Sequence, residues 1–107
     1  MKKLIRDKIV RYYKESEFEH ITSQEELNKF YALKVYEELD EIQRSDHKDV
    51  TEFADLIQVA ISFANANGFT LPIVMTAVQK KADEKGEFSD IALLNLNPNN
   101  PSNKVYR

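Results

Sequence analysis

The 107-residue chain contains no cysteine, only two glycines and three prolines, and no excess of positive charge. Absence of cysteine excludes disulfides, thiol nucleophiles and cysteine-based metal sites. Glycine and proline are the residues that most often interrupt helices, so their scarcity predicts an all-α domain. The formal net charge of -3 leaves no broad basic face for a nucleic-acid polymer. A local cluster of cations could still meet a small phosphorylated ligand. Long hydrophobic runs are missing too: the most apolar stretch, FADLIQVAISFA, is too short and too interrupted to span a bilayer. The opening MKKLIRDKIV places Arg6, Asp7 and Lys8 where a signal peptide needs apolar residues. A soluble cytoplasmic protein with no membrane contact is expected.

Hydrophobic residues at 42% and charged residues at 31% form an ordinary globular composition. No repeat or linker divides the chain, so one domain over residues 1–107 is expected. In LIRDKIVRYYKES, the spacing of Leu4, Ile5, Ile9 and Tyr12 or Tyr13 predicts a short first helix. Ser23, followed three residues later by Glu26, is a capping-box start for a helix running to about Arg44. QRSDHKD, residues 43–49, has no apolar side chain, and Asp46 or Asp49 can cap the next helix. It also lacks glycine and proline, so one unbroken helix from Ser23 to Asn67 is the competing arrangement. Such a helix would be far longer than the usual ~11–12 residues, and a turn at 45–48 is preferred.

VTEFADLIQVAISFANAN is apolar around most of its circumference, apart from a strip of Thr51, Gln58, Ser62 and Asn65. A helix of that kind is buried on nearly all sides. A domain this small has difficulty covering it alone, which favours a homodimer or homotetramer. Asn67-Gly68 ends it. The next helix starts with Thr70 and Pro72 and stops at Gly86. FSDIALLNL is ambiguous between extended chain and a short strand, and an irregular tail is expected over about 89–107.

Charged residues normally sit opposite a helix's apolar stripe, but YEELDEI breaks that rule. Three residues turn a helix by about 300°, so Glu38 and Glu41 share a face. On a helical wheel that face also carries Leu27, Phe30, Tyr31 and Ile42, with Lys34 between the acids. Glu52 and Asp55 repeat the spacing on the following helix. In an antiparallel hairpin the two pairs can meet near the turn. Converging carboxylates repel unless they are protonated, paired with cations or bound to a divalent ion. Oxygen-only donors suit magnesium, manganese or calcium. Acid pairs at this spacing also occur on solvated helix faces, where Lys34 would merely pair with Glu38.

EELDE followed by EFAD resembles the EExxE…ExxD signature of the MazG-like, all-α nucleoside triphosphate pyrophosphohydrolases. KLIRDKI and KKADEKGEF resemble the K-L-V-R-D-K-I opening and K-x-x-x-R-G-G-F segment of their phosphoribosyl-ATP pyrophosphohydrolase-like branch. These segments cover most of residues 2–88 in the right order. The resemblance implies a four-helix MazG-like bundle that hydrolyses the α–β phosphate bond of a nucleotide and releases pyrophosphate. It implies Mg2+ (with Mn2+ as an alternative) held by Glu38, Glu41, Glu52 and Asp55. Glu37 would help orient water, and Glu37, Glu38 and Lys34 would form the catalytic group. Lys34, Lys81, Lys85 and Arg6 are the phosphate-binding candidates, with Lys8 nearby. Lys85 stands where the family has Arg, and Glu87 replaces the second Gly. Arg grips phosphate in a bidentate way that Lys does not reproduce.

That departure supports a second reading, a catalytically weak helical module that binds a nucleotide or a protein. A di-iron carboxylate protein would need Glu-x-x-His on two helices, and only Glu17 to His20 fits.

Overall fold

A computed structural model describes residues 1–96. It is all-helical, with four α-helices and no strand among the described residues: α1 (Asp7–Val10), α2 (Gln24–Arg44), α3 (Val50–Ala66) and α4 (Leu71–Lys85). A single 3-10 turn, Glu15–Glu17, lies between α1 and α2. The chain groups into two compact units, Met1–Ala77 and Val78–Arg107, and α4 is continuous across the division.

Local chemistry explains most boundaries of the three long helices. The Ser23 hydroxyl accepts the Glu26 N–H at 3.1 Å, satisfying one of the free donors at the start of α2. At its other end, Arg44 pairs with Asp40 one turn back at 2.9 Å. The chain then reverses through Asp46 (φ 56°) and His47 (φ 62°), whose left-handed backbone is more accessible to Asp and His than to most side chains. There the His47 N–H donates to the Ile42 carbonyl at 3.1 Å. Asp49, not Asp46, caps α3: its carboxylate accepts from the Thr51 N–H at 2.9 Å and from the Thr51 hydroxyl at 2.6 Å. These hydrogen bonds, the hydroxyl's first, lower the Asp49 pKa. Gly68 (φ 90°) and Gly86 (φ 80°) supply the left-handed residues just past α3 and α4.

The turn makes α2 and α3 an antiparallel hairpin. At its open end the Asn67 amide donates to Asn28 at 2.9 Å, and one turn in, Tyr31 stacks on Phe63 at 5.2 Å with the rings 11° from parallel. Ile42 and Val59, 4% and 8% exposed, are the buried apolar residues. Beside them lies one buried charged residue, Glu38, at 7%. The outer faces stay apolar and open: Leu33, Tyr36 and Leu39 on α2, and Val50, Phe53 and Ile57 on α3, are all exposed. The expectation that α3 is buried on nearly all sides is therefore not met within one chain.

One segment differs from the reading of the sequence, and another settles an alternative that the sequence left open. The first helix is only one turn, because residues 3–6 run ahead of it and place Lys3 and Arg6 on the hairpin's acids. A short helix is marginal in isolation, so such tertiary contacts decide its length. FSDIALLNL turns at residues 89–90 and forms no strand, and residues 91–96 have no regular structure. The rest of the expected irregular tail, 97–107, lies outside the described residues. Among the described residues no single helix is long and apolar enough to cross a membrane.

Candidate metal centre

The hairpin register sets the site. Glu38 points from α2 toward the first two turns of α3, where Glu52 and Asp55 stand three residues apart. One carboxylate oxygen from each of the three lies within 4.8 Å of the others. Two ligands of one magnesium are at most about 4.2 Å apart, given bonds of about 2.1 Å, so small side-chain rotations bring these oxygens into range. The donor set is hard, anionic and all-oxygen, which fits magnesium or manganese and not a soft metal.

Two cations already neutralise part of this charge. Lys34, one turn before Glu38, lies 3.5 Å from its carboxylate and 3.3 Å from that of Glu37. Arg6 reaches Asp55 at 2.5 Å. Glu52 takes no cation among the described residues. Its pKa is raised, first by burial and then by the charges of Glu41, Asp49, Asp55 and Glu38.

That shift has a sign that can be tested. Below the unfolded-state pKa both states carry the proton, and folding has no penalty from this group. As pH rises, the unfolded chain ionises first while the folded protein resists, so metal-free stability falls through the window up to the folded pKa. With chelator present, Glu52→Gln is expected to flatten the fall in melting temperature as pH rises above the ordinary carboxylate range. Thermal melts of both proteins across that rise check this, and parallel curves would refute it. Metal affinity of the unaltered protein should rise over the same window, because the ion and the proton compete for one oxygen.

The structure brings together three of the four expected ligands. Glu41 lies outside the three-oxygen group and makes itself felt as a charge on Glu52. Glu37, expected to sit behind the ligands or to orient water, accepts from Lys34 and from Lys3, each at 3.3 Å. Lys34 and Arg6 are at the site. Lys81 and Lys85 belong to the second unit, on the C-terminal half of α4. Neither histidine joins the acids: His47 sits in the turn, and His20 packs edge-on to Phe18 at 5.6 Å.

Alongside Glu38 and Asp55 opens a cleft of about 720 Å³, walled by residues 3–9 on one side and the hairpin on the other. Lys3, Arg6, Lys8 and Lys34 line it, so acids and cations share one space. Three further lining residues had no assigned role in the sequence: Tyr31, Gln58 and Ser62. Gln58 donates to Ser62 at 3.0 Å, and both lie on the same helix face as Asp55. The polar strip on an otherwise apolar α3 was their signal. Lys3 opens the KLIRDKI segment but had no role assigned to it.

Comparison with protein-family models, curated proteins and solved structures finds no match to this chain.

Proposed function

We propose that the protein is a magnesium-dependent nucleotide pyrophosphohydrolase of the MazG-like all-α class. It would cleave the α–β phosphate bond of a nucleoside triphosphate or related nucleotide. The observation that carries this reading is the convergence of Glu38, Glu52 and Asp55 from consecutive helices, beside a cleft lined with cations. Those acids would hold the metal, with Glu41 adjoining.

Bound there, magnesium would neutralise phosphate charge and favour water as a nucleophile near neutral pH. Water adds to the α-phosphorus, the bond to the bridging oxygen breaks, and a nucleoside monophosphate and pyrophosphate leave. Lys34 is fixed between Glu37 and Glu38 and is placed to meet the phosphate chain as it approaches the acids. Glu37 keeps Lys34 in position. Lys3, Arg6 and Lys8 supply further positive charge along the cleft. Phosphate roles for Lys81 and Lys85 rest on the family resemblance alone.

A panel of nucleoside triphosphates incubated with magnesium should release pyrophosphate from at least one member, and chelator should stop it. No release from any nucleotide refutes the catalytic assignment. The Lys85-Gly86-Glu87 departure favours the second reading, a nucleotide-binding module. Nucleotide binding without turnover would select it.

A further inference from the structure

We propose that Arg6 is an exchangeable counter-ion: it occupies Asp55 while the acid cluster lacks a divalent ion, and moves to the phosphates of an anionic ligand once that ion takes Asp55. Metal and anion binding then strengthen each other. This rests on the metal-binding reading above and adds a coupling to it.

Asp55 is claimed twice. Its carboxylate belongs to the three-oxygen group and also accepts from Arg6. Of the two cations at the cluster, only Arg6 is free to leave. Lys34 is 15% exposed and is flanked by Glu37 and Glu38 on its own helix. Arg6 is 55% exposed and sits on extended backbone just before α1, outside any helix. Two ion pairs, Lys3–Glu37 and Arg6–Asp55, tie this segment to the hairpin among the described residues. An exposed ion pair is a weak contact, and a divalent ion held by several carboxylates outcompetes it.

The released guanidinium stays in the cleft, whose wall the same segment forms. There its planar fork matches two oxygens of a phosphate group. An anion that draws Arg6 away from Asp55 makes metal binding easier, and by linkage the metal raises anion affinity by the same factor.

The test is a Mn2+ titration by calorimetry on the full chain, with and without adenosine monophosphate, whose single phosphate chelates Mn2+ only weakly, in the unaltered protein and in Arg6→Ala. Without the anion, Arg6→Ala should bind Mn2+ more tightly, by up to about 5-fold. Saturating adenosine monophosphate should raise Mn2+ affinity by a comparable factor in the unaltered protein, and most of that gain should vanish in Arg6→Ala. Equal Mn2+ affinities and equal anion gains in the two proteins overturn the exchange. A measurement needing no variant is amide hydrogen exchange of residues 4–9. Their protection should drop on saturation with Mg2+ and return with adenosine monophosphate, which leaves the Mg2+ in place; unchanged protection overturns the proposal. If the unaltered protein binds no Mn2+, or Glu38→Gln binds it equally well, the metal reading itself fails. Mn2+ binding that depends on Glu38 but ignores Arg6 overturns the coupling alone.

Discussion

Glu38→Gln is expected to lower divalent-metal affinity by at least about 100-fold while leaving the melting temperature unchanged or raised. Changing a partner that only orients a metal ligand typically costs about 10–100-fold. Glu38 is placed to coordinate directly, so its loss belongs at or above the top of that range. Stability should move the other way. Glu38 is 7% exposed and faces Glu52 and Asp55, so its negative charge is repelled by two neighbours in the metal-free protein. Gln keeps the volume and removes the charge. Lys34 retains Glu37 at 3.3 Å and is not stranded. Pyrophosphate release should fall with metal affinity. Calorimetric titration with Mn2+ and thermal melts in chelator check the two halves separately. Intact affinity would remove Glu38 from the site. A collapse in melting temperature would mean that its role is structural.

Much of this site is legible before any coordinates. Ser23, Asp49, Gly68 and Gly86 are local signals whose chemistry acts within a few residues, so the starts of α2 and α3 and the ends of α3 and α4 follow from them. The inward placement of Glu38 follows from period 3.6 alone. What escapes is set by contacts between distant segments. A helical wheel gives an angle around the axis but not how far each side chain reaches across a seam. It therefore pairs Glu41 with Glu38, whereas the register of the five-residue turn leaves Glu41 outside the group with Glu38, Glu52 and Asp55. Likewise Leu4, Ile5 and Ile9 favour a longer first helix, but Lys3 and Arg6 reach acids on two other helices from the residues preceding α1. No local pattern encodes those partners. Lys34 was visible only because its partners lie on its own helix.

Replacing Ile57 with glutamate should dissociate the protein into monomers without removing metal binding. Among the described residues the core is thin, with Ile42 and Val59 as its buried apolar residues. Meanwhile Val50, Phe53 and Ile57 form an i, i+3, i+7 stripe on α3, turned away from the seam with α2, and Ile57 is 60% exposed. We infer that a second copy covers this stripe, in a dimer or tetramer. Burying an Ile side chain contributes about 1.5–3 kcal/mol. A two-fold interface feels the substitution on both sides, so association should weaken by about 1,000-fold or more. Sedimentation of the unaltered protein at micromolar concentration should give at least twice the monomer mass, with a melting temperature that rises with concentration. Ile57→Glu should sediment as a monomer and melt earlier. A monomeric unaltered protein would refute the assembly. Glu38, Glu52 and Asp55 all come from one hairpin, so Mn2+ affinity should survive dissociation wherever the variant stays folded. If affinity is lost with the assembly in a variant whose helices remain intact, the metal site is shared between copies and the three acids of one chain are only part of it.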